Sequence, residues 1–329
     1  MKAMVLAAGY GTRLLPLTRQ LPKPLFPVMN QPLLGHTLGW LRAAGVGDVT
    51  VNLHHLPDQI IAAFTGISGL GIHFSLEEKI LGTAGGIKQA ERFLGGGAFF
   101  VVNSDILSDV DLARVMAFHR NKGACLTLVV RQDPVPERYG LIEIDAKGRV
   151  THFLGANAPH RPDTQTRVMF TGVQVMETEV LQRIPAGRFS GTAADIFPAM
   201  VEEGLPVYAC LHEGYWLDLG TRETYLQAHR DALQGTLRLQ GEIPFARGPG
   251  IAGPVAAGRD LSIDAGANIG PHVVLGDRCR VAAGASMENS VCWDDVIVGK
   301  GAQVERSILG HGAVVPPGER VLGKVVVGA

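Results

Sequence analysis

Two short stretches near the start of the chain carry the residue types of a phosphate grip: LAAGYGTRL at residues 6 to 14 and LPKPL at 21 to 25. Gly9 and Gly11 follow the apolar run Met4 to Ala7 and permit a tight turn, so backbone N–H groups there can face an anion. Arg13 adds a charged fork. Lys23 stands between Pro22 and Pro24, whose rings restrict the local backbone and present the ammonium from a stiff segment. Together these groups suit a triphosphate. A dinucleotide fingerprint would need a third glycine where Leu14 stands, and the Gly-Lys-Ser/Thr of a P-loop is absent.

Carboxylates supply the other half of such a site. AFFVVNSD, residues 98 to 105, reads as an apolar strand ending at Asp105, the place where an open α/β sheet binds its ligand. Asp218, in YWLDLGT at 215 to 221, is the second acid. Mg²⁺ is a hard ion that commonly takes one or two protein carboxylates plus substrate phosphates, so two Asp remote in the chain are enough to hold it.

EEKILGTAGG, residues 77 to 86, is a small-residue loop entering a helix, through which backbone can approach a base or ribose, with Thr83 placed to cap that helix. Glu77 or Glu78 either accepts from the N1–H and N2–H₂ edge of guanine or is a solvated loop acid. ERYG sets Tyr139 beside Gly140 ahead of a strand, a ring and a bare backbone that suit a sugar. His54 and His55 adjoin a strand end, but neighbours in extended chain diverge, so packing or surface roles are expected of them.

These groups need a scaffold that brings them together. Apolar runs at 3–7, 49–53, 98–102 and 126–130 alternate with helical patterns at 33–44, 57–64, 85–93 and 111–121; 140–154 and 168–176 read as further strands, and 195–203 and 222–233 as helices. Such alternation predicts a Rossmann-like, mostly parallel sheet with helices on both faces. Beyond about residue 245 the period becomes six: Ile251, Ile263, Ile269, Leu275, Val281 and Met287, then Leu309, Val315, Val321 and Val327, with 287–298 expected as an interrupting loop. A six-residue repeat with one inward aliphatic per face predicts a parallel β-helix. The expected domains are therefore 1–232, a linker at 233–248, and 249–329.

The chain has 329 residues, a formal net charge of −1 and 6% aromatics, a balance that excludes extended nucleic-acid binding and makes any phosphate affinity local. Cys125, Cys210, Cys279 and Cys292 lack metal or redox spacing and read as buried small residues in a reducing cytoplasm. Neither a signal peptide nor an apolar run long enough for a membrane span is expected.

Taken together, the GTRL loop, PKP, the strand-end Asp, LGTA, YG and WLDLGT resemble the sugar-1-phosphate nucleotidyltransferase family over essentially the whole chain. In overall layout the sequence is most similar to mannose-1-phosphate guanylyltransferases, and the tail looks like the left-handed β-helix that several members carry. The resemblance implies transfer of a nucleotidyl group from an NTP to a sugar 1-phosphate, here GTP and mannose 1-phosphate, and a homo-oligomer assembled through the β-helix. It places Leu6, Ala7, Ala8, Gly9, Gly11, Thr12, Glu77, Gly82, Thr83, Ala84 and Asn103 at the nucleotide, with Arg13 and Lys23 as the catalytic cations. Tyr139, Gly140, Thr171 and Gly172 would border the sugar, and Asp105 and Asp218 would hold Mg²⁺.

Two departures matter. The Glu-Lys pair that most members place after the YG strand is replaced by Gly155 and Ala156, and the usual Asn before a later glycine is replaced by Phe170. N-acetylmuramate-1-phosphate uridylyltransferases resemble this chain in both respects, which keeps a uridylyl or thymidylyl transferase open. The missing pair also fits a non-catalytic paralogue that binds a nucleotide sugar, whereas Arg13, Lys23, Asp105 and Asp218 fit an enzyme. Arg167 is the candidate replacement for the missing Lys, with Arg161 and His152 behind it.

Overall fold

The structure, a computed structural model, describes residues 1–133, 140–163, 165–241 and 243–328. It divides into two compact units that do not follow chain order: Met1–Gly9 with Leu38–Trp216, and Tyr10–Thr37 with Leu217–Ala329.

In the first unit four parallel strands lie in the order Gly71–Leu76, Asp48–Leu53, Lys2–Leu6, Phe99–Asn103. The two central strands and Phe99–Asn103 read as nearly continuous apolar runs because both faces of the sheet are covered. Helices Pro57–Phe64, Gly82–Gln89 and Glu91–Leu94 form the crossovers. This is the Rossmann-like arrangement that strand–helix alternation predicts.

An antiparallel flank extends the sheet. Thr166–Met176 pairs with Phe99–Asn103 and Leu126–Arg131, and its first residues pair with Ile142–Ile144. Val207–Leu211 then adds in parallel to Leu126–Arg131. The single strand expected over 140–154 is a hairpin, Ile142–Ile144 and Val150–Phe153, because Asp145 accepts from the N–H groups of Lys147 and Arg149, both at 2.8 Å, and folds the chain back. Helix Leu112–Lys122 starts where Asp111 accepts from Arg114 N–H at 3.0 Å and stops at Gly123, whose φ of 56° is left-handed.

The second unit begins with a succession of short turns, Thr12–Leu14, Leu17–Gln20 and Lys23–Leu25, followed by the hairpin Pro27–Val28 and Gln31–Pro32. Helix Arg222–Leu233 opens on a capping box in which Thr221 and Thr224 exchange side-chain and backbone hydrogen bonds.

The tail is a parallel β-helix of three sheets. Ile269, Leu275, Val281, Met287, Leu309, Val315 and Val321 point into its core, as the period predicts; Val298 and Val304, outside that register, do so too, while Ile251 and Ile263 are only partly buried against it. The interruption expected at 287–298 is not a loop. The first rung advances 18 residues, from Val255 to Val273, and the next three advance 17, from Val274 to Val291, Val291 to Ile308 and Ile308 to Val325. One corner per rung is therefore a residue short, which puts Cys292 in the core and sets Val326, rather than Val327, opposite Leu309. Left-handed backbone at Asn289 and Arg306 makes that tight corner. The buried serines that follow join the rungs, Ser290 Oγ accepting from Ser307 N–H and Ser307 Oγ from Lys324 N–H, both at 3.1 Å.

All four cysteines are free and buried. Among the described residues no helix is long and apolar enough to cross a membrane.

Candidate active site

The candidate residues fall into two constellations, one in each unit. In the first unit the central strand delivers Leu6, Ala7, Ala8 and Gly9 at its carboxyl end, and the neighbouring strand delivers Asn103, paired with Leu6, and then Asp105. Asp105 is half-buried. Ala7 N–H donates to Asn52 Oδ1 at 2.8 Å, Asn52 Nδ2 donates to Glu77 Oε1 at 2.7 Å, and Leu81 N–H donates to Glu77 Oε2 at 2.9 Å. Asn52 and Glu77 are buried, so each polar atom needs such a partner. Glu77 is thus not a solvated loop acid: it ties the first strand to the entrance of the LGTA helix. Glu78 is the exposed member of the pair.

That entrance is closed by Ser190, whose carbonyl accepts from Ala84 N–H at 2.9 Å and Gly85 N–H at 3.2 Å. Thr83 Oγ1 accepts from Thr192 N–H at 2.8 Å. A Cβ at Gly82 would stand 2.5 Å from Ser190 O, and one at Gly86 would stand 2.6 Å from both Asn52 Nδ2 and Glu77 Oε1, so these glycines are required by close approach.

On the antiparallel flank, Gly172 has φ of +83°, and a Cβ there would meet Asn103 Nδ2 at 2.7 Å. Thr171 is buried and donates its hydroxyl to Val129 O at 2.8 Å, while its carbonyl accepts from Trp216 Nε1 at 2.8 Å. Tyr139 lies outside the described residues. Gly140, with φ of +93°, is overlain by Leu154. Leu154 and Gly155, both at positive φ, make a two-residue turn between Val150–Phe153 and Ala156–Asn157. Ala156 is buried, so a hairpin occupies the place of the charged pair. Arg167 is exposed and stands 3.9 Å from Glu143, which also takes the Arg161 guanidinium; His152 pairs with Asn157.

The second constellation lies wholly in the other unit. Gly11 is left-handed, φ 62°, and a Cβ on it would stand 2.9 Å from Thr18 and 3.4 Å from the Lys23 side chain, so the loop carrying Thr12 and Arg13 folds onto the PKP turn. Lys23 is buried and Arg13 exposed. The Arg13 guanidinium lies against Gly220: a Cβ there would be 2.7 Å from both terminal nitrogens. Gly220 is two residues past half-buried Asp218, so Arg13 lies against the turn that follows this carboxylate.

Sequence reasoning missed Asn52, Gly220 and Ser190. Asn52 had a signal, a polar residue inside the apolar run VTVNL; Gly220 stood within a recognised motif; Ser190 had no local sign. Asp105 and Asp218 offer oxygen alone, and among the described residues no group of three His, Cys, Asp or Glu gathers. Carboxylate oxygen is the donor type that Mg²⁺ takes, the ion completing its shell with substrate phosphate and water.

The first unit carries a glycine-rich loop and Asp105 at the carboxyl ends of a Rossmann-like sheet, and the second carries the β-helix. The family described as nucleotidyl transferase matches residues 2–235 and the GMPPB C-terminal domain matches residues 251–329. The chain belongs to the nucleotidyl transferase family, and its class is that of the sugar-1-phosphate nucleotidyltransferases. It is 31% identical to a UTP–glucose-1-phosphate uridylyltransferase of Synechocystis sp., over 98% of this chain and 90% of that relative. Identity is 32% to a probable mannose-1-phosphate guanylyltransferase of Arabidopsis thaliana, over 100% and 91%. To the mannose-1-phosphate guanylyltransferase of Mycobacterium tuberculosis it is 33%, over 92% and 83%. The crystal structure of HddC from Yersinia pseudotuberculosis complexed with GMP-PN shares the fold, with a TM-score of 0.57 at 24% identity, over 69% of this chain and 97% of that one.

Proposed function

We propose that the protein transfers a guanylyl group from GTP to mannose 1-phosphate, releasing pyrophosphate. One observation carries the catalytic part: the Arg13 guanidinium seated on Gly220, two residues past Asp218 and in the same unit as buried Lys23. A sugar-phosphate oxygen attacks the α-phosphorus, a P–O bond forms, the bond to the β-phosphate oxygen breaks, and pyrophosphate leaves. The nucleophile is already ionised, so the chain needs no base and no covalent intermediate; its task is to align two anions and neutralise the transition state. Arg13 and Lys23 supply positive charge from fixed positions, while Gly9, Gly11 and Thr12 offer the loop backbone.

Asp105 and Asp218 would hold Mg²⁺, which when bound shields the repulsion between the two phosphates. The Leu81–Gly86 entrance, with Ala84 and Asn103, would border the nucleoside, and Gly140, Thr171 and Gly172 the sugar. Arg167 would meet the sugar phosphate, and exchange to Ala should raise KM for that substrate severalfold with kcat held. An unchanged KM ends that assignment.

GTP and mannose 1-phosphate are supported by the guanylyltransferase relatives, which match 100% and 92% of the chain. The uridylyltransferase relative, matched just as fully, favours UTP with glucose 1-phosphate as the second reading. Pyrophosphate release across a matrix of nucleoside triphosphates and sugar 1-phosphates decides between them, and no release from any pair would leave a nucleotide-sugar-binding paralogue. Buried free thiols support a cytoplasmic setting. Association of copies through the β-helix belongs to the same reading, and a single boundary of monomer mass in sedimentation would remove it.

A further inference from the structure

Phe26, Tyr225 and Trp293 come from three remote parts of the chain and close into one cluster in the second unit, with exposures of 1%, 0% and 3%. Trp293 is presented by the β-helix, between the strands Val291–Cys292 and Ile297–Val298. Its Nε1 donates to Tyr225 Oη at 3.0 Å, and Tyr225 donates its own proton to the carbonyl of Pro27. The Phe26 ring meets Trp293 at 4.9 Å and 68°, and Tyr225 at 5.9 Å and 78°, both edge-to-face, the arrangement that ring quadrupoles favour. Burial pushes the Tyr225 phenol far above its ordinary value, so it remains a donor throughout the working range.

Phe26 is also the residue that ends the PKP turn: its N–H donates to Lys23 O at 3.0 Å, and Leu25 N–H to Pro22 O at 2.8 Å. The backbone of Lys23 is therefore one hydrogen bond from a ring held by the β-helix. Other contacts in the unit anchor the same segment. Gln20 donates to Gly328 O at 3.1 Å, and Asn30 to Leu275 O at 2.9 Å. Arg222 donates to Gly323 O close to the Gly220 turn. The segment bearing both cations thus rests on the tail at several points, and the aromatic cluster is the one joined to Lys23 by a backbone hydrogen bond, from Phe26 N–H.

We propose that Trp293 and Tyr225 are positioning residues for nucleotidyl transfer, acting through Pro27 and Phe26 to set Lys23, so that the β-helix is part of the catalytic apparatus rather than an appended spacer. This rests on the role given to Lys23 above. A merely packed core pair would stabilise the fold without changing what Lys23 does once folded, and the test separates the two.

Tyr225→Phe keeps the ring and removes one oxygen; Trp293→Phe keeps an aromatic edge against Phe26 and removes the N–H. Each is made in the wild-type and Lys23→Ala backgrounds, with the folded fraction fixed by circular dichroism and kcat and KM measured for both substrates. In the wild-type background kcat should fall about tenfold with KM for the sugar phosphate held within about twofold, while in Lys23→Ala neither variant should lower kcat further. An unchanged kcat in folded Tyr225→Phe, or an equal loss in both backgrounds, overturns the proposal. Should Tyr225→Phe fail to fold, Trp293→Phe carries the same cycle. If the wild type releases no pyrophosphate with any substrate pair, the reading of function fails instead; nucleoside triphosphate affinity then replaces kcat in the cycle, and equal losses in the two backgrounds would overturn the positioning role.

Discussion

The Leu81–Gly86 loop and the Gly9–Leu14 loop are both glycine-rich entrances to a helical turn, yet they are built in opposite ways. Around the first, Glu77, Ser190 and Thr192 tie down Leu81, Thr83, Ala84 and Gly85 by hydrogen bonds between neutral groups and one buried carboxylate. The second has no side-chain cap, is shaped by a left-handed glycine, and ends in exposed Thr12 and Arg13. A fixed wall of paired groups discriminates by shape and by the groups it leaves unpaired; an exposed guanidinium stabilises charge that develops during reaction. Under the proposed function, recognition and transfer fall to different stretches of chain, and substitutions should separate them.

The largest effect is expected at the charged loop. Arg13→Ala should lower kcat at least about a hundredfold, the scale for losing one preorganised stabiliser of developing charge, and Asp105→Asn should match it. Near-normal pyrophosphate release in both would defeat the assignment. Gly220→Ala is a subtler probe of the same loop. The Gly220 backbone is not left-handed, and the added methyl would meet only the tip of a flexible side chain, so the fold should hold while Arg13 is displaced. Turnover is expected to fall about tenfold with the melting temperature unchanged. A loss of stability in place of turnover would show that Arg13 braces the turn and takes no part in transfer.

The hydrogen-bonded wall should respond the other way round. Glu77→Gln keeps the volume, but a carboxamide has one acceptor oxygen where Glu77 uses two, so either Leu81 N–H or Asn52 Nδ2 loses its partner. The cost is about 1–2 kcal/mol in urea unfolding, the range for one buried unsatisfied donor. Saturating kcat should change less than for Arg13→Ala. Equal damage to turnover would mean that the two loops are not divided as proposed.

Much of this was legible in the chain. The runs at 3–7, 49–53, 98–102 and 126–130 are strands within a residue or two of those bounds because buried parallel strands must be apolar on both faces. Gly71–Leu76 escaped notice because it pairs on one side alone and is only partly buried, so GIHFSL shows neither a clean run nor an alternation. The six-residue period revealed the β-helix, while the short corners at Asn289 and Arg306 imitated a loop because one missing residue shifts every later hit. The left-handed turn at Gly11 could be read from residue type and spacing. The Asn52–Glu77–Leu81 chain could not, since its partners are 25 residues apart and joined only by adjacent strands.

The smallest expected effect concerns what lies beneath the charged loop. His229 is fully buried against Tyr225 at a ring distance of 4.7 Å, and its Nδ1 accepts from Met29 N–H at 3.5 Å. Burial lowers its pKa from 6.5 to about 3, the neighbouring His36 contributing further. The unfolded chain therefore takes up a proton near pH 6.5 that the folded chain refuses until about pH 3, so stability falls as pH falls through that window. From pH 7.5 to pH 6 this one group should cost about 0.8 kcal/mol. His36 and, in the sheet unit, His119 are lowered by burial too, so wild-type stability alone would not isolate the effect. His229→Gln removes the titrating group at that position, and the difference in unfolding free energy between the variant and the wild type should change by that amount across the same interval. A difference independent of pH would mean that His229 is protonated or solvated in the folded chain, and that the support under the Pro27–Asn30 turn is wetter than its burial implies.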